Sequence, residues 1–237
     1  MIFVGTHHKT GTKLFQNIFF EVSKLLGLQY FSGWQANLPA GTDVWFMGHS
    51  RIDFDPTYKI RGIHVVRHPL NIILSGYRYH RICKENWAIK PGAKTGADGV
   101  CYDFQGMSYQ QKLNSLSESD GIKHEMRGRS YNAIMDVYRW NYEDSRFLNL
   151  RFEDIVEDFD GQMSRAFAWL GLPVDRCLEV AQQHDLMRMS TETIHGNPHV
   201  TDKGRFGNRI IQLSPELSKE FDSIYPADIL DRLGYKS

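Results

Sequence analysis

The sequence predicts an α/β fold in which a mainly parallel central sheet lies between two layers of helices. Short apolar segments alternate along the chain with longer segments whose apolar residues recur at helical spacing. Strands that alternate with helices form parallel sheets, because each helix carries the chain back to the same end of the sheet. Polar residues follow the predicted strands, and open sheets of this kind bind ligands at the carboxyl ends of their strands. We therefore expect a three-layer α/β/α fold with a ligand site at one edge of the sheet.

The individual elements follow from the same patterns. Strands are predicted at 2–4, 44–47, 63–66 and 147–152. Helices are predicted from residue 13 to a glycine cap at Gly27, at 71–79, and at 159–170 before Gly171. Residues 84–129 interrupt the alternation, since they are polar and show only one short helical pattern, at 109–116. A long excursion inside a compact domain usually has a function, so we expect a cap over a substrate pocket there.

Length and charge limit the classes of protein that this chain could represent. The chain has 237 residues, 41% of them hydrophobic, which is enough to bury the core of a single domain over 1–237. The 28 basic residues balance 28 acidic ones, so we expect no nucleic acid partner. No apolar run approaches the roughly 18 residues of a membrane span, and no signal peptide is recognised. We expect a cytoplasmic protein without a membrane partner.

The cysteines and the glycine-containing turn after the first strand are the next candidates for function. Cys83, Cys101 and Cys177 have the spacing of neither a zinc site nor a disulfide framework, so we predict no metal site. The turn from Gly5 to Lys13 joins a strand to a helix, so its amides and hydroxyls could hold an anion at the positive end of the helix dipole.

This turn differs from the Walker P-loop. Five residues rather than four separate Gly5 from Gly11, and Leu14 follows Lys13 where a magnesium-binding hydroxyl is required. Ordinary ATP or GTP hydrolysis is therefore disfavoured. An ordinary turn in which Thr12 caps the helix remains the alternative from the turn alone.

Two motifs resemble those of the sulfotransferases that use 3′-phosphoadenosine 5′-phosphosulfate (PAPS). The sequence KTGT at 9–12 looks like the 5′-phosphosulfate loop of that family. Arg67 at a strand end and Ser75 in the following helix are similar to its 3′-phosphate motif, in which the two residues converge on one phosphate. Both residue types and their spacing match, so this is the most specific signal in the sequence.

Weaker matches extend the resemblance over most of the chain. They are LRFED at 150–154, FAWLGLP at 167–173, KGRFG at 203–207 and a helix-containing insertion at 106–125. The chain also departs from the family. Leu14 stands where a stacking Trp often follows the loop, Phe152 replaces the usual Tyr, and Asp202 replaces an Arg.

The resemblance implies metal-independent transfer of the sulfuryl group of PAPS to a hydroxyl or an amine of a small molecule or modest glycan. Lys9 would stabilise the charge on the leaving phosphate, and adenosine 3′,5′-bisphosphate (PAP) would be the product. The donor-binding residues that it implies are His8, Lys9, Thr10, Gly11, Thr12, Lys13, Arg67, Ser75, Phe152, Lys203, Gly204 and Arg205.

The reaction also needs a base for the acceptor proton, and a histidine titrates in the useful range. His49 is favoured because it follows a strand end, as the histidine base of the family does. His7, His8 and carboxylates of the insertion remain alternatives. A P-loop kinase or other phosphotransferase and a nucleotide-binding module without catalysis are the alternative functions.

Overall fold

Five strands form one parallel sheet in the computed structural model of the protein. The strands of the chain are β1 (Ile2–Gly5), β2 (Tyr30–Ser32), β3 (Val44–Met47), β4 (Arg61–Val66), β5 (Lys94–Thr95), β6 (Cys101–Tyr102) and β7 (Phe147–Arg151). The sheet order is β2–β3–β1–β4–β7, while β5 and β6 form a separate antiparallel pair. The predicted class, a three-layer α/β fold with a mainly parallel sheet, is confirmed.

The structure describes residues 1–53, 59–91, 94–95, 101–102, 104–188 and 213–235, with backbone alone at 94–95 and 101–102. These residues form two compact units. The first contains the sheet and comprises 1–67 and the described residues from 139 to 188, and the second comprises the described residues from 68 to 138 and 213–235. No helix in these described ranges is long and apolar enough to cross a membrane.

The helices of the first unit pack on one face of the sheet. They are α1 (Thr12–Leu26), α7 (Phe152–Glu157), α8 (Phe159–Leu170) and α9 (Val174–Gln182). Residues of four strands on this face, such as Val4 and Ile63, form one core with Phe15, Phe19 and Phe167 of the helices. The other face buries a second cluster around Phe3, Trp45, Met47, Trp140 and Phe147. Burial on both faces explains why the strands read as continuous apolar runs rather than as alternating patterns.

The second unit is mainly helical. Its helices are α2 (Pro69–His80), α3 (Asn86–Ile89), α4 (Tyr109–Ser115), α5 (Glu118–Arg127), α6 (Arg129–Arg139, which ends in the first unit), α10 (Pro215–Ile224) and α11 (Ile229–Arg232). The short helix predicted at 109–116 is therefore confirmed, and a capping box between Ser108 and Gln111 starts it. α5 was not predicted from the sequence, because two of its four buried residues, Gly121 and Glu125, do not contribute to an apolar pattern.

Two boundaries differ from the sequence prediction. The last strand ends at Arg151, and Phe152 begins α7 instead of extending the strand. Gly11 rather than Thr12 caps α1, because Gly11 adopts the left-handed conformation that precedes the first helical residue.

Candidate active site

The segment between β1 and α1, residues 6–11, is a loop built around the carbonyl group of His7. That oxygen accepts hydrogen bonds from the amide of Thr10 at 3.1 Å, the Thr10 hydroxyl at 3.0 Å and the Thr12 hydroxyl at 2.7 Å. The Thr10 hydroxyl is fully buried and also accepts from the His7 amide at 2.8 Å. Both threonine hydroxyls therefore hold the loop together in this structure, and we call residues 6–11 the phosphate loop.

Two residues of the phosphate loop have positive φ angles, 66° at Lys9 and 97° at Gly11. A Cβ atom on Gly11 would lie 2.8 Å from the ring of Phe152, so this position requires glycine for its space as well as for its backbone angle. Phe152 is only 3% exposed and packs against the loop.

The N-terminus of α1 has the chemistry of an anion site. The helix has 15 residues, no side chain caps its first turn, and that turn has no acidic residue. The first amides of an α-helix have no acceptor within the helix, and they carry the positive end of its dipole. An anionic group beside 11–13 would satisfy these amides.

Arg67 follows β4 and contacts the phosphate loop. Its guanidinium donates a hydrogen bond to the Lys9 carbonyl at 2.8 Å and lies over the ring of Phe152, 4.7 Å from its centre. Its Nε atom is 4.0 Å from a carboxylate oxygen of Glu153. The side chain is largely buried, with 8% of the residue exposed. Arg67 thus fixes the backbone of Lys9, a role that was not predicted from the sequence.

The chain after β3 lies beside the phosphate loop. Ser50 donates a hydrogen bond to the Thr6 carbonyl at 2.9 Å, and a Cβ atom on Gly48 would lie 3.2 Å from the methyl group of Thr12. His49 stands between these two anchors and is exposed. Its ring is parallel to that of Trp34, with 5.5 Å between the ring centres. The structure therefore brings the favoured base to the edge of the loop.

A buried pair of histidines, His7 and His64, lies at the loop, and His64 was not predicted from the sequence. The Nε2 atoms of His7 and His64 are 2.7 Å apart, and Nδ1 of His64 is 3.0 Å from Oδ1 of Asn149. Burial lowers the pKa of His64 to about 3. Burial, with the nearby charges of His64, His49 and Arg51, also holds the pKa of His7 well below its ordinary value. A polar residue inside each of two apolar strands was the signal that could have revealed this pair.

The remaining predicted residues are distributed as follows. His8 is half-buried, and the ammonium of the exposed Lys13 donates to the Gln16 side chain at 3.3 Å. Ser75 is half-buried on α2 in the second unit, so its convergence with Arg67 stays a prediction. Lys203, Gly204 and Arg205 lie outside the described residues. Among the residues that are described, no cluster of three or more His, Cys, Asp or Glu side chains could hold a metal ion.

Comparison with known proteins defines the class. The family model for the sulfotransferase domain matches residues 54–232, most of the chain, so this chain belongs to the sulfotransferase domain family. The predicted class, a sulfotransferase enzyme, is confirmed. No curated protein matches the chain significantly.

Solved structures share the fold at low sequence identity. The mouse sulfotransferase SULT7A1 complexed with PAP is 12% identical, with a TM-score of 0.55 over 94% of this chain and 82% of that one. Two structures of retinol dehydratase are also 12% identical, with TM-scores of 0.55 over 98% of this chain and 80% of theirs. One holds androsterone and PAP, described as an inactive cofactor, and the other holds retinol and PAP.

Proposed function

We propose that this protein transfers the sulfuryl group of PAPS to a hydroxyl group of a small-molecule acceptor and releases PAP. The observation that carries the proposal is the N-terminus of α1, where no side chain caps the first turn and which follows a loop that is already folded around the His7 carbonyl. Such a site suits the 5′-phosphate of the donor. The sulfotransferase neighbour that was solved with PAP supports the same donor.

The androsterone and retinol of the retinol dehydratase structures support a small-molecule acceptor. A modest glycan or an amine is the other acceptor class. We also propose that 1–237 act as one sulfotransferase domain in which 84–129 cover the acceptor. Support for this cap comes from its helices α3, α4 and α5, which interrupt the alternation of strands and helices.

Lys9 is the residue that we propose for stabilising the leaving group. During transfer the bond between sulfur and the bridging oxygen breaks, a bond from sulfur to the acceptor oxygen forms, and negative charge stays on the 5′-phosphate. A cation beside that phosphate lowers the barrier. The left-handed backbone of Lys9 and the hydrogen bond from Arg67 fix the point from which its ammonium reaches the donor. Arg67 would then have two roles, because it holds the backbone of Lys9 and also belongs to the 3′-phosphate site that the sequence predicts.

His49 is the residue that we propose as the base for the acceptor proton. It is exposed and held beside the phosphate loop by its two neighbours in sequence. His7 suits this role less well, because it is 1% exposed and burial keeps its pKa low. His8 and carboxylates of the cap are the remaining candidates.

The test is the turnover of Lys9→Ala, with labelled PAPS and a panel of phenols, alkyl alcohols, amines and sugars. We expect a loss of at least about a hundredfold, since one lost charge-stabilising contact raises a barrier by about 3 kcal/mol. Lys24→Ala is the control, because Lys24 is an exposed lysine at the other end of the same helix that pairs with Glu21. Retention of a tenth of the wild-type rate would exclude Lys9 as the cation.

Ligand binding separates the alternatives. Thermal stabilisation of the wild type by PAP without magnesium is expected. Stabilisation only by ATP with magnesium would favour a phosphotransferase instead. Binding of PAP with no turnover of any acceptor in the panel would favour a nucleotide-binding module.

A further inference from the structure

The buried histidine pair connects the interior of the sheet to the phosphate loop. His64 lies in β4, in register with Gly5 of β1 on one side and with Asn149 of β7 on the other. Its side chain bridges Asn149 and His7, with contacts of 3.0 Å and 2.7 Å. The contacts therefore run in one chain, from β7 through β4 to the loop that follows β1.

The chemistry of the three side chains fixes where the protons lie. An amide oxygen has no proton, so the proton of the contact with Asn149 lies on Nδ1 of His64. A neutral imidazole has one N–H, which leaves Nε2 of His64 as an acceptor. The proton between the two rings must then belong to Nε2 of His7, and Nδ1 of His7 carries only a lone pair. Both histidines stay neutral at physiological pH because burial lowers the pKa of each.

The surroundings of His64 hold its ring in place. The ring is fully buried and stacks on Trp140, with 3.9 Å between ring centres and 8° between planes. The ring of Tyr142 approaches it at 6.0 Å in an edge-on orientation. A 180° flip of the ring would put a carbon atom in the place of each nitrogen and so break both hydrogen bonds.

His7 connects this chain of contacts to the phosphate loop. Its side chain ends the chain of contacts, while its amide and carbonyl make the hydrogen bonds to Thr10 and Thr12 that fold the phosphate loop. Among the described residues, Nδ1 of His7 is buried and has no hydrogen-bond partner. A buried polar atom without a partner needs an explanation, and this one belongs to the residue around which the phosphate loop folds.

We propose that His64 and Asn149 are positioning residues of the phosphate loop, which act by holding His7 in the tautomer that has its proton on Nε2. This tautomer keeps the Nδ1 acceptor open beneath the loop and keeps the His7 carbonyl where Thr10 and Thr12 bind it. Lys9 and the first amides of α1 are thereby presented to the donor. The identity of that donor rests on the proposed function, whereas the tautomer does not.

Asn149→Leu is the variant that tests the proposal. It keeps the size of the side chain and removes the acceptor for Nδ1 of His64. His64 is then expected to place its proton on Nε2, towards His7, and His7 to place its own on Nδ1. Nitrogen NMR of ¹⁵N-labelled histidine reads both tautomers directly. We expect the tautomers to reverse, PAP affinity to fall about tenfold, and the amide of Thr10 to exchange with deuterium faster.

A further variant serves as the control for packing. Val65→Ala removes buried volume from the position next to His64. It should lower stability without changing the tautomers or the PAP affinity. A general loss of packing in the sheet would affect Val65→Ala as much as Asn149→Leu.

The opposite tautomers in the wild type would overturn the proposal. So would a reversal in Asn149→Leu that leaves the exchange of the Thr10 amide and the PAP affinity equal to those of Val65→Ala. If the wild type binds no PAP, the proposed function fails, while the NMR and amide exchange still decide whether Asn149 and His64 position the loop.

Discussion

Both units of the protein bury a polar cluster, but only the cluster of the second unit is closed. In the second unit the carboxylate of Glu125 is fully buried and accepts hydrogen bonds from His80 at 2.9 Å, Tyr109 at 2.7 Å and Ser130 at 2.6 Å. In the first unit the chain of contacts from Asn149 through His64 ends at His7, whose Nδ1 has no partner among the described residues. A closed cluster is stable by itself, whereas an open one leaves a polar atom for which the fold alone gives no reason.

The cluster around Glu125 joins four helices of the second unit. His80 lies in α2, Tyr109 in α4, Glu125 in α5 and Ser130 in α6. Gly76 allows α2 to approach closely, since a Cβ atom there would lie 2.7 Å from a carboxylate oxygen of Glu125. Burial alone would raise the pKa of Glu125, but the charge of His80 and the three hydrogen bonds outweigh it and lower that pKa. The carboxylate therefore stays charged and acts as a structural centre.

The largest expected effect is on stability and comes from Glu125→Ala. The substitution leaves three buried partners without their acceptor, so we expect the free energy of unfolding to fall by about 3–5 kcal/mol. Urea unfolding measures it. Glu118→Ala, an exposed glutamate in the first turn of the same helix, should lower it by at most about 1 kcal/mol. Equal losses in the two variants would show that the cluster around Glu125 is not what holds these helices.

The next effect concerns the first unit, whose polar cluster is open, and compares two glycines at the ends of α1. Gly11 and Gly27 both have positive φ, but a Cβ atom would meet Phe152 at Gly11 and nothing within 4 Å at Gly27. Each alanine variant should lose about 1–2 kcal/mol from the backbone angle, and Gly11→Ala should lose about 1–3 kcal/mol more through the contact. Only Gly11→Ala should also weaken PAP binding, as calorimetry would show. A loss of affinity in Gly27→Ala would mean that general stability, and not the loop, controls binding.

The elements that were predicted from the sequence have a local signal. Apolar runs such as 44–47 are buried on both faces and were recognisable, as was the helix that follows the phosphate loop. β2 was not predicted, because it has only three residues and pairs with β3 alone. α5 was not predicted because two of its four buried residues are a carboxylate and a glycine, which do not contribute to a hydrophobic pattern.

The candidate site shows the same limit. Lys9 and Gly11 were found because a glycine-containing turn and the start of a helix are adjacent in sequence. The relation of His64 to Asn149 depends on the pairing of two strands that are far apart in the chain, and no local pattern encodes that register. The same holds for the hydrogen bond from Arg67 to the Lys9 carbonyl, which links residues 58 positions apart.

A further expected effect is a difference between the two regions in their response to pH. His64 has a pKa of about 3 in the folded protein against 6.5 in the unfolded chain, because burial disfavours its charged form. Its contribution to stability is complete above pH 6.5 and is lost as the pH falls from 6.5 towards 3, by about 1.4 kcal/mol for each pH unit. The pKa of Glu125 is lowered instead, so its contribution is complete above its ordinary value of 4.5 and is lost only below it. Between pH 6.5 and pH 4.5 the region of His64 should therefore weaken while the cluster around Glu125 does not.

Unfolding in urea at several pH values, on the wild type and on His64→Phe, measures this difference. The variant keeps an aromatic ring against Trp140 but cannot take up a proton, so its stability should fall less steeply with decreasing pH over that interval. The neighbouring groups His7, His49 and Arg51 remain in both proteins, as do His124 and His184, whose pKa values burial also lowers. The pKa of His7 rises in the variant, because His64 is one of the groups that lower it, and this change flattens the curve of the variant further. The difference in slope therefore belongs to the pair of His64 and His7. Parallel curves would show that His64 is protonated in the folded state, which is incompatible with its acceptor role towards His7.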